Sequence, residues 1–496
     1  MRDVLAKYWV IVHVALLAGF LAWVHGGTRV DHLGAVPWLS LAVLEMTLLL
    51  PAVRRDEPLD LARRRVWRAM LRDPLLYLGI ALNGYLLFQF LNGGQKLMFD
   101  ASGNTWSFAP APIGWGPCCI DPAEARQMLY WFLPAFAAVL GIRHGTNRRG
   151  KLYLLRALVA NGALLSLFGV LQYASGTTNL FGLTPMTERF FASFGYANHA
   201  GSFFTLLFAV SIGLLAQALL VPAERRHAIW LGPALVLNLA GALLSLSRLA
   251  ILLSLALFLL GGLYVIRHAW KQISNSLRFQ VLVAFLLAAA FGAAFLFFAA
   301  PNNPVRQEIR GEALGKFVEE VSGVRWQQTM AACNIWRDHP WFGVGGWGFR
   351  HYVCLDLDES RRALLQSGGA NVHNDAAQFL AEHGLIGFGL ILGAVGALMV
   401  PLFRRLRQTH MSHADGWTGE RWLLFRISPI TVLILAGTTF TCLESFVDLP
   451  FRSPAILVTW SVALACASAF LPAAMPAAFS WMPGSSPKPA PESSNP

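Results

Sequence analysis

Val372-His373-Asn374-Asp375 stands where a long polar stretch ends and hydrocarbon-like sequence resumes near Ala376. A histidine at the mouth of a membrane helix, facing an external loop, is placed to take a proton near neutral pH from a substrate that is half lipid. Behind it come Asp375, Gln378, Glu382 and His383. Residues three and four apart share a helix face, so Asp375, Gln378 and Glu382 form one polar stripe with His373 or Asn374 at its top. A plainer reading fits equally: Asn374 is an N-cap, and the acidic groups complement the positive end of a helix.

Two arginines invite the same double reading. Arg248, in Ser245-Leu246-Ser247-Arg248-Leu249, has long apolar sequence on both sides. A charge there is costly unless it pairs, lines a watery cavity or snorkels to the headgroups. Arg189 precedes Gly195-Tyr196-Ala197-Asn198-His199, in which Asn198 and His199 mark the entrance of another apolar run. Amides at such a helix start suit phosphate oxygens, although a lone arginine in an outer loop is more often simply solvated.

These residues need a scaffold, and composition names it. Of 496 residues 55% are hydrophobic and 13% charged, with a mean hydropathy of +0.51, which describes a polytopic membrane protein. Stretches able to cross ~30 Å of hydrocarbon occupy 8–24, 36–53, 75–91, 127–142, 152–174, 200–221, 228–246, 249–266, 279–300, 376–403, 427–442 and 454–472. The first of these lacks a small-residue cleavage site after it and reads as a retained helix. Segmentation then gives 1–174 with helices 1–5, 175–300 with helices 6–9, a loop or lid at 301–375, helices 10–12 over 376–472, and a Pro/Ser-rich tail at 473–496 expected to be disordered.

Lysine and arginine fall in alternate loops, among them Arg63, Arg64, Arg65, Arg68, Arg148, Arg149, Arg225, Arg226, Arg404 and Arg405. Positive charge resists translocation, which makes these loops and both termini cytoplasmic. The net charge of +12 is then positive-inside bias plus attraction to anionic membrane lipids, and no nucleic-acid partner is implied. The outer segments 92–126, 175–199, 301–375 and 443–453 hold the polar complexity. The first, with Trp106 and Trp115, reads either as an interfacial cover or as a turn-rich loop. In 301–375, Arg306, Glu308, Arg310, Glu312, Lys316, Glu319, Glu320 and Arg325 suggest an amphipathic helix over the mouth, as a lid or a solvated helix. Glu444 and Asp448, with Arg452, face the same side, and the two carboxylates are candidates to order Arg248 or Arg189 by ion pairing. Of six cysteines, Cys333 and Cys354 are the pair best placed for a disulfide. No His/Cys metal spacing occurs, and Asp356-Leu357-Asp358 has Asp-x-Asp spacing but reads better as solvated. No repeat supports a transporter built from inverted halves.

Asn371-Val372-His373-Asn374-Asp375 with Glu382-His383-Gly384-Leu385-Ile386-Gly387 resembles the His-Asn … Glu-x-Gly-x-x-Gly pattern of the O-antigen ligase and Wzy polymerase superfamily. His339-Pro340-Trp341-Phe342-Gly343-Val344-Gly345 is similar to that family's His-Pro-x-x-Gly-x-Gly element, Ser247-Arg248 to its Ser-Arg turn, and Arg189 with Gly195-Tyr196-Ala197-Asn198 to its Arg … Gly-x-x-Asn loop. The resemblance spans roughly 187–453, and the four elements in order give it its weight. Asp375 departs from the pattern, leaving open whether it orients His373 or caps the helix.

The resemblance implies an all-α integral membrane fold of the GT-C-like kind, about twelve helices, with a large periplasmic loop between helices 9 and 10. It implies an enzyme of the bacterial inner membrane that moves a glycan from undecaprenyl diphosphate to a lipid A-core acceptor, or to a further glycan in the polymerases. His373 corresponds to the general base, and Arg189 and Arg248 to arginines holding the diphosphate. Asn374, Asp375, Asn198, His199, Ser247 and Glu382 complete the expected binding set. Planar guanidinium groups would stabilise the leaving charge without a metal or other cofactor. A protein O-oligosaccharyltransferase and, outside the class, a polysaccharide transporter are the alternatives.

Overall fold

The structure, a computed structural model, describes residues 8–54, 57–102, 105–186, 189–270, 315, 321–356, 371–411 and 427–471. With no water to pair the backbone in hydrocarbon, apolar segments close their own hydrogen bonds as helices. Among the described residues, seven helices are long and apolar enough to cross a membrane: Pro74–Leu91, Pro122–His144, Arg148–Ala174, Ala197–Leu220, Pro222–Leu244, Arg248–Arg267 and Asp375–Gln408. Four shorter apolar helices, Trp9–Trp23, Val36–Leu49, Pro429–Glu444 and Pro454–Phe470, run with them. These match the expected stretches in order, apart from 279–300, which lies outside the described residues. So do the charges of the expected lid from Arg306 to Glu320, and the tail.

Five helices build the site, labelled in chain order: α1 (Pro74–Leu91), α2 (Pro122–His144), α3 (Ala197–Leu220), α4 (Asp375–Met411) and α5 (Pro454–Ala467). Helix α3 is the axis, buried almost continuously from His199 to Leu214. Glycine lets its neighbours close in: a Cβ on Gly201 would sit 2.5 Å from Ala250, one on Gly213 3.0 Å from the Ile430 backbone, and one on Gly437 2.7 Å from Ala209.

The bundle has two chemically different ends. At one lie the termini of helices near Arg63, Arg64, Arg68, Arg143, Arg148, Arg225, Arg226 and Arg405. Here Leu59–Leu71 is a helix rather than a plain loop, its Ala62, Val66 and Met70 buried and its arginines turned outward. At the other end begin α2, α3, α4 and α5 and end Arg148–Ala174 and Pro429–Glu444. The 92–126 segment at that end contains a hairpin, Leu97–Asp100 paired with Thr105–Phe108, and its Trp106 and Trp115 are exposed.

Candidate functional site

The site is assembled on a break in α4. Gly384 adopts φ 60°, ψ −170°, a conformation open essentially to glycine alone. At the break the helix loses backbone partners, and the segment His339–Gly345 replaces them. The Val344 and Gly345 amides donate to the Ala381 and Glu382 carbonyls (3.1 and 2.8 Å), while the Leu385 and Ile386 amides donate to Pro340 and Trp341 (2.8 and 3.1 Å). The two backbones touch, so a Cβ on Gly343 would lie 2.4 Å from the Glu382 carbonyl carbon and one on Gly384 2.4 Å from that of Trp341. Helix α1 pins the crossing. The Tyr85 hydroxyl lies 2.8 Å from the Phe342 carbonyl and 2.9 Å from that of His383, and Gln89 bonds both the Glu382 carbonyl and the Gly346 amide (3.3 Å each).

Just before α4 begins, the chain is strained. His373 has φ 54°, which places a non-glycine residue in the left-handed region, and its side chain is 21% exposed. Asn374 caps α4, its Oδ1 accepting from the Ala377 amide at 3.1 Å. His373 Nδ1 lies 3.6 Å from Asp448 Oδ1, within reach of charge but beyond a hydrogen bond. Asp448 is the hub of this end. It accepts from the Tyr196 hydroxyl (3.2 Å) and the Asn198 amide, and Arg325 approaches it to 3.8 Å. Burial pushes the Asp448 carboxyl up, but His373, Arg325 and His199 outweigh burial and hold it below the ordinary carboxylate range. The Tyr196 hydroxyl is pushed well above its usual value, by burial first and by Asp448 next. His199 is buried and its Nε2 sits 2.9 Å from the Leu449 carbonyl.

Arg452, 2% exposed, fills the polar stripe of α4. Its Nη2 donates to Glu382 at 2.6 Å, its Nε lies 4.0 Å from Asp375, and Glu382 also accepts from Gln378 at 2.9 Å. Its guanidinium stacks over Phe379, Trp347 and Trp131 at 4.6, 4.9 and 5.6 Å. A buried ion pair repays its desolvation only with such complete company. The Asp375 carboxylate accepts from the Phe451 amide at 2.9 Å. It therefore anchors the start of α4 to the 445–453 turn, and the carboxylate beside His373 is Asp448.

A cavity of about 610 Å³ opens between these groups, lined by His373, His199, Tyr196, Asn371, Arg29, Arg325 and Arg452, with Trp131, Trp347 and His25 in its walls. Three of its lining residues, His25, Trp347 and His373, have positive φ (56°, 62° and 54°), and strain of this kind collects where side chains must be aimed. His25 leads a left-handed turn with Gly26 and Gly27 (φ 63° and 77°), held by the Ser453 hydroxyl donating to the Gly26 carbonyl at 2.7 Å. Burial, then Arg29 and His32, push the His25 imidazole below its usual value.

The structure thus brings together His373, Asn374, Asp375, Asn198, His199 and Glu382. Neither Arg189 nor Arg248 is in the cavity wall. Arg189 is exposed, in the loop between Met186 and Gly195, which do line it. Arg248 is half-buried and opens a helix whose Ser247 and Ala250 abut Gly201, two residues from His199. Ser247 is the buried N-cap residue there, preceded by Leu246 at φ 58°. Of the guanidinium groups that do line the cavity, the sequence suggests other roles for Arg325 and Arg452, in a helix over the mouth and beside Glu444 and Asp448, and Arg29 carries no signal of its own. The expected disulfide is not made: all six cysteines are thiols. Cys333 lies on the helix Trp326–Asp338, and the exposed Cys354, on Phe349–Asp356, turns its thiol 3.3 Å from its own Arg350 carbonyl. Among the described residues no group of three or more His, Cys, Asp or Glu could hold a metal ion; Asp358 lies outside them.

Residues 233–392 match the family model for O-antigen ligase. That stretch holds Ser247-Arg248, the 339–345 segment, His373 and the Gly384 break. No match to a curated protein was found. The match covers 233–392, about a third of the chain; over that stretch, on a chain built of apolar helices, the protein is similar to the O-antigen ligase family, which supports a multi-pass membrane enzyme of ligase or polymerase type.

Proposed function

We propose that the chain transfers a glycan from an undecaprenyl-diphosphate carrier to a lipid A-core acceptor, at the periplasmic face of the bacterial inner membrane. The observation that carries this reading is His373 beside Asp448, in a cavity walled by guanidinium groups at the end of the bundle where α2, α3, α4 and α5 begin. With Nδ1 turned to Asp448, Nε2 is left to take the proton of the acceptor hydroxyl. The acceptor oxygen bonds to the anomeric carbon as the carbon–oxygen bond to phosphate breaks, and the electron pair leaves on the diphosphate. Arg325 and Arg29 are placed to meet that charge inside the cavity, and Arg189 and Arg248 to hold the carrier at its border. Attack from the face opposite the diphosphate inverts the anomeric configuration, and the mechanism calls on no metal. The arginine-rich end supports a cytoplasmic location for both termini.

The test uses purified protein in nanodiscs with undecaprenyl-diphosphate-linked glycan, lipid A core and no added metal. Wild type is expected to load the core, and His373→Ala to lose at least about 100-fold in rate. Lengthening of the lipid-linked glycan in place of core loading would make the enzyme a polymerase. Full activity in His373→Ala would remove the base from this site.

A further inference from the structure

The cavity wall contains polar atoms that the protein leaves without partners. Trp131 and Trp347 form a T-shaped pair, centroids 5.4 Å apart, and each has a buried indole N–H with no acceptor among the described residues. Arg452 lies over both rings, and its Nε likewise lacks an acceptor. In the wall of the same cavity, Asn371 carries a buried Oδ1 that accepts from nothing among the described residues. Buried polar groups are nearly always paired, so such a set calls for an absent partner.

The chemistry of that partner follows from two facts. The set mixes unfilled donors with an unfilled acceptor, whereas phosphate oxygens only accept. A sugar hydroxyl does both. Arg452 is also already neutralised by Glu382 at 2.6 Å, so this wall is polar and aromatic without surplus positive charge. Apolar ring surface beside scattered hydrogen-bonding groups fits a sugar, with CH-rich faces and hydroxyl edges. Position selects which sugar, since Asn371 is two residues from His373 and the cavity is shared.

Building on the activity proposed above, we infer that Trp131, Trp347, Arg452 and Asn371 form a sugar-binding subsite. It seats the donor sugar whose anomeric carbon is attacked, leaving the diphosphate to the other arginines.

The experiment measures binding of two ligands to the full chain in nanodiscs: undecaprenyl-diphosphate-linked glycan and bare undecaprenyl diphosphate. Trp347→Phe keeps the ring and removes the N–H; Asn371→Ala trims a half-buried wall residue and guards against a variant that merely fails to fold. Each is expected to weaken the glycan-bearing donor by about three- to tenfold, leaving bare undecaprenyl diphosphate and the acceptor KM unchanged. Equal weakening of both ligands, a change confined to acceptor KM, or no change in either variant would overturn the subsite. Wild type that binds neither ligand would sink the proposed activity itself, and the subsite with it.

Discussion

At the scale of single residues, Asp448 is where most of the site's interactions meet, and it makes a pH prediction. Its folded carboxyl lies below the ordinary range, so its stabilising contribution is present above the unfolded carboxylate value of about 3.9. It is lost as pH falls through the lower folded value. Thermal unfolding in detergent should therefore show wild type more stable than Asp448→Asn at pH 6, with the gap closing as the pH falls below the ordinary carboxylate value of about 3.9. A constant gap would mean that the carboxylate is not what orders this end. The same variant should lower kcat by on the order of 100-fold with donor KM little changed, since it leaves His373 present but unaligned. His373, Asn198, His199 and Glu382 were legible because their types and helix-end positions are uncommon in apolar sequence. Trp131 was not, because an indole inside a membrane helix looks the same whether it faces lipid, core or cavity.

At the scale of elements, the crossing of His339–Gly345 with the break at Gly384 decides where Glu382 and Arg452 stand. Gly384→Ala would impose both a strained φ and a 2.4 Å contact with Trp341. It should cost at least about 2 kcal/mol, read as a lower unfolding temperature and a loss of transfer activity together. A variant with wild-type stability would show that the break relaxes freely. Helix positions were legible from apolar length alone, from 8–24 to 454–472. The break was not: Gly384 and Gly387 both sit in a hydrophobic helix, and only the opposing Gly343-Val344-Gly345 backbone distinguishes the one that opens. The exposed thiol of Cys354 teaches the same lesson from the other side, since loop cysteines share a compartment without sharing a geometry.

At the scale of the whole molecule, the separation of arginine-rich and site-bearing ends predicts an orientation. In intact cells Trp115→Cys should react with a membrane-impermeant maleimide, and Arg225→Cys only after permeabilisation, in a background lacking the native cysteines. The reverse pattern would turn the site to the cytoplasm. The separation in sequence of the groups that meet at the site has a consequence of its own. Asn198 reaches 250 residues to Asp448, Tyr85 257 residues to Phe342, and Gly26 427 residues to Ser453. No contiguous half of the chain holds a working cavity. During synthesis the early helices can thread into the bilayer while the ribosome still holds the 445–453 turn, and domains generally form in the order they emerge. On the proposed function, the nascent chain is therefore inert toward a carrier lipid until the 445–453 turn is in place, and a chain cut short before that turn leaves the lipid untouched.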